Sequence, residues 1–199
     1  TFRFYTLGCK LNFAESSSIG KTLIENGFTK AKANEKADVC IVNTCTVTDN
    51  ADKKCRNIIR KIHRRNPQAI IAVTGCYAQL RPYDIAAIEG VDIVLSNNDK
   101  GDLYQRVAEL AGRKSATPFV TSCQTAELTR FFASFSSGDR TRTFLKVQDG
   151  CSRRCAYCII PSFRGASTSI AFNDVIDNAK KLRDQGGYEE IVMTGCNLS

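Results

Sequence analysis

Apolar positions in the first half of the chain follow two alternating rhythms. Short unbroken runs at Phe2–Leu7, Asp38–Asn43, Ile70–Thr74 and Val91–Leu95 read as strands buried on both faces. Between them the spacing turns helical. Ser16–Asn26 carries Ile19, Leu23 and Ile24 on one side and stops at Gly27. Asn50–Arg65 repeats Ala51, Cys55, Ile58, Ile59 and Ile62 and is broken by Pro67. Asp99 is placed to cap a last helix running to about Ala111. Buried strands alternating with helices predict an α/β domain, a parallel sheet covered on both faces.

From Gly112 to about Arg142 the pattern fades into Ser, Thr and Gly, which predicts a linker with one short strand at Pro118–Ser122. A second unit opens with a strand at Phe144–Gln148. A cysteine loop follows, then a helix at Asn173–Gln185 with Val175, Ile176, Ala179 and Leu182 on one face, then a strand at Glu190–Thr194. A unit of this kind does not bury a core alone. The expected division is therefore a first domain at 1–112, a linker at 113–142 and an incomplete, truncated second domain at 143–199.

Charge and composition narrow the picture modestly. A net charge of +8 on 199 residues suits a polyanionic partner such as RNA without establishing one. No apolar run approaches a membrane span, and no signal peptide is visible. The ten cysteines point to metal or redox chemistry in a reducing cytoplasm rather than to disulfides. A single histidine argues against a His-rich metal site. Lys53, Lys54, Arg56, Arg60, Lys61, Arg64 and Arg65 crowd one helix, either as a solvated face or as a phosphate-contacting one.

Six of the cysteines fall into two groups. Cys9, Cys45 and Cys76 each follow a strand's C-terminal end, and in a parallel sheet those ends share the edge where ligands bind. The small neighbours Gly8, Thr44 and Gly75 leave room for an inorganic cluster. One buried thiol would need no such explanation, but three at one topological position favour a cluster. The other group is Cys151, Cys155 and Cys158, spaced C-x3-C-x2-C, one ligand short of a closed structural zinc site. Three thiolates on a cubane iron–sulfur cluster leave one iron open. Cys40, in mid-strand, and Cys55, on an apolar helix face, read as core. Cys123 reads as a bystander in the linker, and Cys196 as a buried thiol.

Four motifs now stand in order: Thr6-Leu-Gly-Cys-Lys10, Asn43-Thr-Cys-Thr-Val-Thr48, Gly75-Cys-Tyr-Ala-Gln79, and Lys146-Val-Gln-Asp-Gly-Cys151 continuing through Ile159-Ile-Pro161 to Arg164-Gly165. In these the chain resembles the radical S-adenosylmethionine methylthiotransferases, and most resembles the branch acting on N6-threonylcarbamoyladenosine in tRNA. The resemblance implies a flavodoxin-like parallel-sheet domain followed by the start of a radical SAM (β/α) partial barrel. It implies two 4Fe–4S clusters, one on Cys151, Cys155 and Cys158 and an auxiliary one on Cys9, Cys45 and Cys76. It also implies S-adenosylmethionine as cofactor, with Tyr157, Gly195 and Asn197 near it. The partners implied are the tRNA anticodon arm and an electron donor such as flavodoxin or ferredoxin, for a cytoplasmic enzyme, monomeric and away from membranes. Such a chain is expected to be inactive alone, because half a barrel does not enclose a radical. Competing readings are an enzyme acting on N6-isopentenyladenosine or a ribosomal-protein aspartate, and a zinc- or cluster-binding RNA module. Two positions depart from the family pattern: Ile170 stands where an arginine is usual, and Cys196 where an aliphatic residue or glutamine is common.

Overall fold

A computed structural model describes residues 1–46, 48–110, 114, 116–136, 142–184 and 188–198. Five parallel strands build the first sheet: β1 (Phe2–Thr6), β2 (Val39–Thr44), β3 (Ile70–Gly75), β4 (Ile93–Val94) and β5 (Phe119–Val120), in that spatial order. Lys30 adds a single parallel bridge to Phe2 on the outer side of β1. If that bridge is counted as a strand, the first strands run 2-1-3-4-5, the doubly wound order of flavodoxin-like sheets. On that count the order reverses between β1 and β2, beside the site.

Every residue of β2 and β3 is buried, as their uninterrupted apolar runs predict, because helices cover both faces. On one face α2 (Asp49–Arg65) drives Cys55, Ile59 and Ile62 against Cys40, Val42, Ile71 and Val73. On the other, α1 (Lys10–Glu25) and α5 (Leu103–Glu109) bring Ile19, Leu23, Leu103 and Val107 onto Ile41, Ile70, Ala72 and Ile93. Cys40 and Cys55 lie in this core, and burial pushes each thiol up to about 11.

Several boundaries differ from the sequence expectation. α1 begins at Lys10 rather than Ser16, because its first turn buries Leu11, Asn12, Ala14 and Glu15, a mixed set without an apolar period. α2 is capped by Thr48, whose side chain accepts from Ala51 N at 3.2 Å. Asp99 is not a side-chain cap; its carboxylate accepts from Ser96 Oγ at 2.6 Å, and Lys100–Asp102 form a 3-10 turn before α5. The expected helix end at Ala111 lies outside the described residues. α3 (Cys76–Leu80) and α4 (Pro82–Ala86) were not anticipated, since five residues are too few to display a helical period.

Part of the expected linker belongs to the first sheet: β5 pairs with β4, Ile93 opposite Phe119. After the 3-10 turn Thr125–Glu127, the chain crosses to the second unit, where Phe135 bridges Leu145. There β6 (Arg142–Lys146) pairs in parallel with β9 (Glu190–Thr194). Between them come β7 (Gln148–Asp149), α6 (Ile160–Arg164), β8 (Thr168–Ser169) and α7 (Phe172–Asp184). Gln185, the expected end of α7, lies outside the described residues. Phe172 and Met193 are 77% and 60% exposed, so this unit leaves apolar side chains on its surface. No helix among the described residues is long and apolar enough to cross a membrane.

Candidate iron–sulfur site at the sheet edge

Cys9 follows β1 and Cys45 follows β2, so the two flank the point where the strand order reverses; Cys76 opens α3 directly after β3. Gly8 turns the first loop with φ +99°. A Cβ there would lie 2.8 Å from Cys45 Cβ and 3.0 Å from Cys45 Sγ, so only glycine lets the Cys9 and Cys45 loops approach this closely. Gly75 makes the third turn with φ +96°, where a Cβ would meet Thr44 O at 2.5 Å. Asn12 ties the first two loops together, donating from Nδ2 to Leu7 O and Thr44 O at 2.8 Å each. The Cys55 thiol donates to Cys45 O at 3.3 Å and secures the second loop from beneath. Cys76 is buried, Cys45 half-buried and Cys9 exposed, and no cysteine is in a disulfide.

The second group sits in the irregular loop from 151 to 159. Cys151 and Cys158 are half-buried and Cys155 is exposed. Cys151 N donates to Gly165 O at 3.0 Å and Cys158 N to Cys155 O at 3.1 Å. Gln148 Nε2 pins the start of this loop through Gly150 O at 2.6 Å and Ser167 Oγ at 3.0 Å. Gln148 Oε1 also accepts from Asn197 N at 2.9 Å, and Gly195 packs on the Gln148 side chain, where a Cβ would come within 2.8 Å of it. Tyr157 points to solvent, 91% exposed. Ile170 forms a backbone bond to Val147 O at 3.1 Å. Cys196, expected as a buried thiol, is half-buried; its Sγ lies 3.6 Å from Asp149 Oδ1, and burial pushes its thiol up to about 12.

Among the described residues, no three His, Cys, Asp or Glu side chains converge tightly enough for one metal ion. The thiolates of a cubane each bind a different iron, so that cradle is wider than a single-ion site. Soft thiol donors in loops turned by glycine fit an iron–sulfur group.

The most heavily buried chemistry at this site is one the cysteine spacing does not reveal. Glu15 on α1 is fully buried and takes three cations on one oxygen: Lys100 Nζ at 2.7 Å, Lys146 Nζ at 2.8 Å and Arg164 at 2.7 Å. Asp149 accepts from Lys146 at 2.5 Å and Arg164 at 3.1 Å. Arg164 also donates to Asn12 Oδ1 at 2.6 Å, and α6 packs against α3, which Cys76 opens. Burial opposes ionisation of Glu15, but Arg164, Lys100 and Lys146 outweigh it and hold the carboxyl well below its ordinary range. Burial likewise opposes charge on Arg164, and Cys76, Glu15 and Asp149 overcome it. Glu15 lies on the stripe Leu11–Glu15–Ile19–Leu23, and a carboxylate on an otherwise apolar stripe was the available clue.

Two family models match. The first, an uncharacterized protein family designated UPF0004, covers residues 1–96, and the Radical SAM superfamily covers residues 145–198. The boundary between them falls within the crossing segment, and each model contains one cysteine group. Among curated relatives, the threonylcarbamoyladenosine tRNA methylthiotransferase MtaB of Bacillus subtilis is 40% identical over 99% of this chain and 44% of its own length. The protein of that name from Aquifex aeolicus is 36% identical over 98% of this chain and 48% of its own length. The chain belongs to the radical SAM methylthiotransferases. Membership brings with it an iron–sulfur cluster and S-adenosylmethionine. The chain spans about half the length of the curated relatives it matches. A tRNA-2-methylthio-N(6)-dimethylallyladenosine synthase from Novosphingobium aromaticivorans is 32% identical over the whole of this chain and 44% of its own length. Among solved structures, the radical S-adenosylmethionine methyltransferase TsrM of Kitasatospora setae, with cobalamin and a [4Fe-4S] cluster bound, matches with a TM-score of 0.56 at 14% identity, over 99% of this chain and 48% of its own. At that identity the likeness concerns the fold.

Proposed function

We propose that this chain carries the cluster-binding part of a tRNA methylthiotransferase acting on N6-threonylcarbamoyladenosine beside the anticodon. The observation that supports it best is the meeting of the Cys9, Cys45 and Cys76 loops at the C-terminal ends of β1, β2 and β3, next to α6, which follows the Cys151 loop. In this reading Cys151, Cys155 and Cys158 hold one 4Fe–4S cluster, and Cys9, Cys45 and Cys76 hold a second. When bound, the clusters and S-adenosylmethionine supply radical abstraction of an adenine hydrogen, the inserted sulfur and the methyl group.

The chain's own residues position that chemistry. Gln148 fixes the Cys151 loop and the Gly195–Asn197 turn against each other, and Gly195 and Asn197 would help hold the cofactor when it is bound. Tyr157, exposed on the loop, has its face free for the cofactor or the substrate base. Gly8 and Gly75 let backbone approach the auxiliary group. α2 starts just after the Cys45 loop, and its exposed Lys53, Lys54, Arg60, Lys61, Arg64 and Arg65 give the tRNA backbone a cationic track into the site. Flavodoxin or ferredoxin serves as electron donor, and the reaction belongs in the cytoplasm with its tRNA.

The test is nucleoside mass spectrometry of tRNA from a strain lacking the gene. Loss of 2-methylthio-N6-threonylcarbamoyladenosine, restored by the full-length gene, is expected. Loss of the isopentenyl nucleoside's methylthio group instead, or no change in tRNA, overturns the assignment.

A further inference from the structure

The buried charge cluster does not balance. Lys100, Lys146 and Arg164 bring three positive charges, and Glu15 and Asp149 bring two negative ones, which leaves one surplus positive charge. Four of these five side chains are at most 3% exposed, and Asp149 is 16% exposed, so bulk water does little to screen the surplus. An unpaired buried charge is costly unless an anion lies nearby. The structure indicates where that anion belongs: the member of the cluster that reaches outward is Arg164, on the helix α6 that packs against α3 and its Cys76. It donates to Asn12 Oδ1 at 2.6 Å, an oxygen 4.0 Å from Cys9 Sγ. Through Asn12, the same guanidinium also braces the Cys9 and Cys45 loops. A four-iron core with two positive charges, held by three thiolates, carries one net negative charge in its oxidised state. The surplus and the deficit match.

We propose that this buried cluster is the positioning and charge-tuning device of the auxiliary iron–sulfur site, with Arg164 bracing its cysteine loops through Asn12 and the surplus charge raising that cluster's reduction potential. It rests on the reading that Cys9, Cys45 and Cys76 hold a cluster. Reduction adds negative charge to the group, and a buried cation beside a cluster sulfur favours the more negative state. Lys100 and Lys146 act at one remove, through Glu15.

The experiment uses the full-length protein with Cys151, Cys155 and Cys158 changed to Ala, reconstituted anaerobically so that only the auxiliary cluster contributes. EPR-monitored redox titration reads its potential. Lys100→Met, which removes a cation without touching a cysteine, shifts the potential to more negative values. Glu15→Gln shifts it to more positive values. The double variant, which keeps the surplus at one, returns to the parent value. Equal potentials in the parent and both single variants, with the cluster's iron retained, overturn the proposal. A single variant that fails to assemble is covered by a second measurement on the parent itself. With 15N-arginine labelling, pulsed EPR of the reduced cluster shows coupled 15N that disappears in Arg164→Lys; absence of that coupling in the parent equally overturns it. Failure to bind any iron at Cys9, Cys45 and Cys76 is a different result, and it strikes the functional reading instead.

Discussion

Lys100 is the residue in which the tension of the buried cluster is easiest to measure. Burial lowers its affinity for a proton and the cations Lys146 and Arg164 add to that, while Glu15 only partly compensates; the group titrates at about 8 rather than 10.5. Between those two values the unfolded chain holds a proton that the folded chain has shed. This group therefore adds stability as pH rises through that window, by at most about 1.4 kcal/mol per pH unit. Urea denaturation of the metal-free protein between pH 7.5 and 10 checks it: wild type should gain on Lys100→Met as pH rises, and a constant difference would refute the account. Apart from Glu15 on an otherwise apolar stripe, none of this is legible in the order of residues. The cysteines announce themselves by spacing and by their positions after strands. The charges around them come from α1, the turn before α5, β6 and α6, and only the fold brings these together.

At the scale of elements, the long periodic segments were the readable ones. β2, β3 and α2 follow the apolar pattern closely because tertiary burial and local period agree there. The first turn of α1 and the short helices α3 and α4 were not readable, since polar site residues or brevity hide the period. Those elements carry Asn12, Glu15 and Cys76, so the proposed site lies where the helical period is hidden. The basic face of α2 is readable as charge but not as purpose. Binding of unmodified tRNA across a salt series decides its role. Each of Arg60, Lys61 and Arg64 changed to Gln should reduce the slope of log affinity against log salt by about one if it meets a phosphate. An unchanged slope would leave α2 a solvated face.

The whole molecule joins two units through an interface in which buried ions accompany apolar contacts such as Phe13 on Phe144. Glu15 belongs to the first sheet's covering helix, and Lys146, Asp149 and Arg164 belong to the second unit. Asn97 adds a bond from Nδ2 to Phe163 O at 2.7 Å across the same boundary. Sequence reading separated the two units by composition, and it located their cysteine groups. It left out the coupling, because ion pairs between distant segments have no local period. The consequence is a molecule whose two cysteine groups are held in fixed relation by a network that reaches the Cys9 and Cys45 loops through Asn12.

The central claim is that these two groups hold two separate clusters. Iron analysis of the anaerobically reconstituted full-length protein addresses it most directly. The account predicts about eight irons per chain, falling to about four when Cys9, Cys45 and Cys76 become Ala and to about four when Cys151, Cys155 and Cys158 do. About four irons in the unmodified protein, unaffected by the first set of changes, would contradict it.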